Sequence, residues 1–175
     1  MILARMFCSE CAARLPHEPP VTCPSCGTSH YANAKPCGGA LISDDEGGLL
    51  LVKRAHDPYD GCWDIPGGFC DLREHPRDAA VREAREELGV TVRLGELVGM
   101  YMGEYQFQDE ILPVLDCIWR AEIVDGTIAL DPAEASEYTW AELADPPPLA
   151  FATMDAAVAD LRSTLGPASW AVRGR

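Results

Sequence analysis

Glu83, Glu86 and Glu87 are the residues whose types and spacing most plainly suggest chemistry. On a helix turning about 100° per residue, they share an arc of about 100°. Three carboxylates on one face repel one another unless cations neutralise them. Hard oxygen ligands in that arrangement suit Mg2+ or Mn2+, which keep part of their water and bind substrate phosphates. The plain alternative is an acidic, solvated helix face on which Arg82 and Arg85 are ordinary salt-bridge partners. Glu74 stands eight residues before Arg82 and can reach it across the start of the helix. Gly67-Gly68 lets backbone approach a ligand closely.

A second cluster lies near the start of the chain. Its pattern is Cys8-x2-Cys11-x11-Cys23-x2-Cys26. Two such knuckles can present four thiolates tetrahedrally to Zn2+, at about 2.3 Å each. Gly27 follows the second pair, where a metal knuckle turns, and Ala12 occupies the matching place after the first. Two redox thiol pairs are the competing reading. Cys37, Cys62, Cys70 and Cys117 are scattered and are expected to be small buried hydrophobes.

The elements that must position these groups can be read from the pattern. Tyr31 to Pro36 reads as a linker. Cys37–Ser43 and Leu49–Val52 flank a Gly-containing acidic turn and predict a hairpin. Pro76 to Leu88 is expected to be a helix with Pro76 in its first turn and Gly89 at its end. It would pack on a sheet through Ala80, Val81, Ala84 and Leu88, leaving the glutamates facing a cleft. Val90–Val92, Leu97–Met102, Ile111–Val124 and Glu137–Trp140 have strand content, with Pro113 demoting the start of the third to a late or edge position. Asp145 to Pro148 is an extended loop. Thr153 can cap a closing helix striped by Met154, Val158, Leu161 and Leu165, and Gly166-Pro167 would stop it. The fold class expected is α+β, with a mixed-sheet sandwich.

Composition bounds the rest. The chain has 175 residues, 47% hydrophobic and 24% charged, enough for one domain and a small appendage. A net charge of −14 disfavours a nucleic-acid groove. The Lys/Arg content near the cysteines (Arg5, Arg14, Lys35) is too thin for a basic patch. No apolar run is long enough for a membrane helix. Reduced thiols and no secretory pattern at the start lead us to expect a cytoplasmic protein.

Gly68-x5-Glu74-x7-Arg82-Glu83-x2-Glu86-Glu87-x-Gly89-Val90 resembles the Nudix box at every fixed position. Leu49–Ala55, the Trp63–Gly68 approach and Glu137–Trp140 resemble the frame around that box. The cysteine pairs resemble the zinc ribbon of NADH pyrophosphatase-like Nudix proteins. The resemblance implies a Nudix-type α/β/α sandwich with a mixed β-sheet at 36–175, preceded by a zinc ribbon and linker at 1–35. It implies Mg2+ or Mn2+ ligation by Glu83 and Glu87, with the Gly67 carbonyl as an additional ligand. Glu86 would be a further ligand or the general base, and Glu74 and Arg82 a supporting ion pair. Glu134 and Glu137, then Glu110, are candidates for a later catalytic carboxylate.

The implied activity is hydrolysis of the diphosphate linkage in a nucleoside diphosphate derivative. In the NADH-cleaving branch a Ser-Gln-Pro-Trp motif follows the box. Here that place holds Gly99-Met-Tyr-Met-Gly-Glu-Tyr-Gln-Phe107. An ADP-ribose-like or other ADP-linked substrate is therefore expected ahead of NADH or another dinucleotide. Tyr101, Tyr105 and Phe107, with Met100 and Met102, are candidates to stack on a base, and Tyr59 and Trp63 are similar cases. A nucleoside triphosphate pyrophosphohydrolase is one rival reading. A non-enzymatic nucleotide-sensing module is another. The partner expected is a small nucleotide, and the resemblance also admits a homodimer.

Overall fold

The computed structural model describes residues 6–108 and 110–165. The expected helix stop at Gly166-Pro167, and Arg5, lie outside the described residues. At the start of the chain, β1 (Val21–Thr22) and β2 (Ser29–His30) form a two-stranded antiparallel ribbon. Next come β3 (Lys35–Ile42), β4 (Gly48–Arg54), β5 (Trp63–Asp64) and β6 (Gly67–Phe69). The helix α1 (Pro76–Leu88) precedes β7 (Thr91–Phe107), β8 (Glu110–Asp125), β9 (Ala135–Glu142) and α2 (Ala152–Leu165).

Two sheets make the middle layer. One is mixed, in the order β6-β3-β8-β7, with β3 and β8 parallel and the other pairs antiparallel. The second is antiparallel, in the order β5-β4-β9. Alternation along β3 and β4 sends side chains to opposite faces. Ala40, Ile42, Leu50 and Val52 join Ala80, Ala84 and Leu88 of α1 in one core. Leu41, Leu49 and Leu51 join Val158 and Leu161 of α2 in the other. The helices therefore cover opposite sides of the strands, as an α/β/α sandwich.

The helix α1 is set by its ends. His75 caps it, accepting the Arg77 backbone N–H at Nδ1, and Pro76 takes the first turn, where its missing donor costs nothing. Gly89 closes it at φ 69°, giving its N–H to the Arg85 carbonyl. The buried face carries Ala79, Ala80, Ala84 and Leu88, each fully buried. Small side chains let α1 approach β3 closely. At Gly38 a Cβ would collide with the Pro76 carbonyl and come within 2.8 Å of the Ala80 nitrogen.

Several expectations need correction. β3 and β4 are not a paired hairpin. They share only the Ser43–Leu49 bridge and enter different sheets. β3 already has β6 on one side and β8 on the other, so it has no free edge for β4. The Tyr31–Pro36 linker ends early, because Lys35 and Pro36 pair with Val114 and Leu115. The two strands expected at 90–92 and 97–102 are one strand, β7, which takes up Gly95, Glu96 and Val98 as irregularities in its register with β8. Pro113 lies within β8, one residue before its pairing with β3 begins at Val114, so its missing N–H falls outside that ladder. Thr153 is inside α2 rather than at its cap, and it is buried. Cys37 and Cys117 are buried as expected, but Cys62 is exposed and Cys70 only half-buried. Among the described residues, no helix is long and apolar enough to cross a membrane.

The α1–β3 contact leads to a test. Gly38→Ala should lower the unfolding free energy by about 2 kcal/mol, as overpacking does. Urea denaturation would measure it, and unchanged stability would contradict the close packing.

Candidate active site

A cleft of about 550 Å³ opens where the exposed side of α1 meets β6 and the ends of the two sheets. Its lining holds eight carboxylates against two arginines and one histidine. A phosphate could not enter such a field without added cations.

Helix geometry sets the glutamates at three depths. Glu87 is 9% exposed, and its Oε1 accepts the Gly67 N–H at 3.4 Å. Burial pushes its carboxyl well above the ordinary range, and the charge of nearby Glu83 adds to the rise. Glu83 is mostly buried, and burial raises its carboxyl as well, against the lowering effect of Arg82. Glu86 is the most exposed of the three. Gly68 lies directly over Glu83, and a Cβ there would strike its carboxylate.

Arg82 ties these groups to the loop before the helix. Its Nε and Nη2 each donate to Glu74, both at 2.9 Å. Nη2 also donates to the Phe69 carbonyl at 3.0 Å, and Nη1 to Glu83 and Glu86 at 2.8 Å each. The Arg82 hydrogen bonds hold the Glu74 carboxyl down at about 2, and burial raises it only in part. One guanidinium thus fixes β6, the loop and two of the three glutamates.

The later carboxylates separate. Glu134 lines the cleft, and its Oε2 lies 2.9 Å from His56 Nε2. Glu137 pairs instead with Lys53 across β9 and β4, and Glu110 is not among the lining residues. The aromatic candidates separate too. Tyr105 lines the cleft, edge-on to Phe69 and stacked on Phe151 with centroids 5.7 Å apart. Tyr101 turns to α2, donating to Asp160 at 2.8 Å. Met100, Met102 and Phe107 are exposed and outside the cleft, and Trp63 packs on the α2-side core. Tyr59 meets Phe151 edge-on.

Sequence reasoning missed Asp64, Arg54, Asp116 and Phe151. Asp64 is buried, and burial pushes its carboxyl up to about 6 despite an Arg54 hydrogen bond of 2.9 Å. Asp116 was visible in principle, as a lone acid in the apolar run from Ile111 to Ile118. Nothing in the local sequence marks Phe151.

The N-terminal cysteines also converge. The four Sγ atoms of Cys8, Cys11, Cys23 and Cys26 all lie within 4.8 Å of one another. Cys8–Cys26 is 3.5 Å and Cys11–Cys23 is 3.7 Å. A tetrahedron of Zn–S bonds of about 2.3 Å has edges of about 3.8 Å, so the set fits that ion. Ala12 (φ 57°) and Gly27 (φ 77°) make the same left-handed turn, returning N–H groups to the Cys8 and Cys23 carbonyls. His30 Nε2 lies 3.2 Å from Cys8 Sγ.

The model for the NUDIX domain matches residues 35–161. The chain belongs to the NUDIX domain family. An ADP-ribose pyrophosphatase of Methanocaldococcus jannaschii is 32% identical over 111 residues, 63% of each chain. The NAD-capped RNA hydrolase NudC of Pseudomonas aeruginosa is 30% identical over 146 residues, 82% of this chain and 50% of its own. The chain thus spans between half and two-thirds of the length of these curated relatives. A NUDIX hydrolase structure from Nitrosomonas europaea superposes with a TM-score of 0.67 at 27% identity, covering 87% of both chains. These likenesses place the glutamate helix in a Nudix fold.

The Arg82–Glu74 pair predicts a pH effect. Glu74 ordinarily titrates near 4.5 and in the fold near 2. Its contribution is therefore present above about pH 4.5 and lost as pH falls toward 2. The stability advantage of the native chain over Glu74→Gln should shrink over that window in acid titrations followed by circular dichroism. A difference that stays constant from pH 5 to 2 would contradict the ion pair.

Proposed function

We propose that this chain hydrolyses, with divalent metal, the diphosphate linkage of a nucleoside diphosphate derivative of the ADP-ribose type. The observation that carries this is the pair of buried glutamates, Glu83 and Glu87, whose carboxyls are raised by burial and which, among the described residues, have Arg82 and the Gly67 backbone N–H as close donors. Such groups fit a hard cation, which would relieve their repulsion and hold them ionised. Glu83, Glu87 and the Gly67 carbonyl would hold Mg2+ or Mn2+, with Glu86 as a further ligand or as the carboxylate that takes the proton of the attacking water. When bound, such ions neutralise diphosphate oxygens and acidify water. Arg82 and Glu74 keep the glutamates in register. Phe69, anchored by Arg82, borders the place where the substrate would lie. Similarity to an ADP-ribose pyrophosphatase supports the substrate class.

A second reading, cleavage of a dinucleotide, is favoured by the similarity to NudC across 82% of this chain. Residues 1–35 form in this proposal a zinc ribbon and linker, and 36–175 the hydrolytic domain. Paired cysteines placed to hold a metal rather than to form disulfides suit a reducing, cytoplasmic setting.

Glu83→Gln and Glu87→Gln should each lower Mg2+-dependent kcat/KM by at least about 100-fold, since even groups behind a metal's ligands cost 10- to 100-fold. Both variants should keep their far-UV spectra. Full activity in either would contradict the ligand assignment, and fastest turnover of a nucleoside triphosphate in a substrate panel would contradict the ADP-ribose class. Metal analysis of the purified chain should find one zinc, lost in Cys26→Ser. Zinc retained in that variant would contradict the four-thiolate site.

A further inference from the structure

The four sulfurs of the N-terminal cluster do not share one environment. Cys11 and Cys26 are exposed, whereas Cys8 is 3% exposed and Cys23 is buried with it. The exposed pair is reached by water and by backbone. The Ala13 N–H donates to Cys11 and the Thr28 N–H to Cys26, with the Thr28 hydroxyl 3.3 Å from Cys26 Sγ. Four thiolates around one Zn2+ leave an excess of about two negative charges on the sulfurs. A buried thiolate is cut off from solvent, and a buried charge without a hydrogen-bond donor is costly. Cys8 is therefore a sulfur at which an internal donor matters.

His30 carries one, with its Nε2 3.2 Å from Cys8 Sγ. The ribbon register puts it there. Val21 and His30 stand directly opposite in β1 and β2, and opposite side chains share a face. Val21 packs in one core with Cys8, so the half-buried imidazole turns toward the same sulfur. Thr22 and Ser29 point to the other face, where their hydroxyls lie 3.0 Å apart and reinforce that register. A metal-bound thiolate has no proton to give, so the nitrogen that meets it must be the donor. The four sulfurs already fill a tetrahedral ion, and His30 Nε2 stands outside the group of atoms that lie within 4.8 Å of one another. The contact also joins residues 22 apart in the chain, tying β2 to the first knuckle. The chain then leaves His30 for β3, which begins at Lys35.

We infer that His30 is a positioning residue of the metal ribbon, donating its Nε2–H to the Cys8 thiolate so that the buried side of the site retains its ion. This rests on the four-thiolate zinc reading above and adds to it a residue that does not touch the metal. Groups that hydrogen-bond to a ligand change metal affinity by about 10- to 100-fold.

The test uses the full chain, loaded with zinc and titrated against a chromogenic chelator, and the same chain loaded with cobalt. His30→Ala should weaken zinc binding by about tenfold or more. Its cobalt form should show sulfur-to-metal charge transfer at longer wavelength, because a thiolate relieved of a hydrogen bond gives up electrons more easily. His30→Gln keeps an N–H on a side chain of similar reach, and should recover most of the affinity and the native band. Unchanged affinity in His30→Ala would overturn the inference. So would equal losses in both variants with an unmoved cobalt band, which would leave the imidazole as packing alone. A nitrogen about 2.0 Å from zinc in X-ray absorption of the native chain would overturn it too, by making His30 a ligand. Each of these results leaves the zinc ribbon standing. If the native chain takes up neither metal, the ribbon reading itself fails and this inference falls with it.

Discussion

Like charges forced onto one side of a short helix are the constraint around which this molecule is arranged. Glu83, Glu86 and Glu87 cannot separate, because α1 fixes their spacing and its other side is locked onto β3 by fully buried alanines and Leu88. Arg82 offsets part of the repulsion and uses its remaining donors on Glu74 and the Phe69 carbonyl. It does not reach Glu87, the deepest of the three, whose close donor is a single long backbone contact. The arrangement is thus complete as a scaffold and incomplete as an electrostatic unit. A divalent cation is the group that would close it.

The same constraint explains what was legible beforehand. The helix, its two ends and its two faces follow from local rules: a proline in the first turn, a glycine past the last, and periodicity between. Arg82 and Glu74 could be paired because their separation spans one loop and the start of that helix. The division of strands between two sheets was not local. Whether Leu49–Val52 pairs with Cys37–Ser43 depends on whether β8, far along the chain, already occupies that edge. Asp116, Phe151 and Arg54 meet in the cleft only through that long-range pairing, so their neighbours in sequence say little about them. Tyr105 and Tyr101 look alike in sequence, yet one faces the cleft and the other Asp160.

The cysteine ribbon shows the opposite balance. Among the described residues, its core is Cys8, Leu15, Val21 and Cys23, with Ala13 against it. So small a cluster cannot offset the conformational entropy of the segment by burial alone. Four convergent thiols and two matching left-handed turns form a site at which an ion would provide the remaining order. Ala12 adopts the turn without being glycine, at a cost of about 1 kcal/mol that a metal held by the four thiols would offset.

Anomalous diffraction from crystals soaked in Mn2+ would test the central claim most directly. The account predicts manganese peaks within about 2.2 Å of carboxylate oxygens of Glu83 and Glu87, on the side of α1 facing Gly67. Soaked crystals with no manganese at those two side chains, and ions held elsewhere in the cleft, would contradict it.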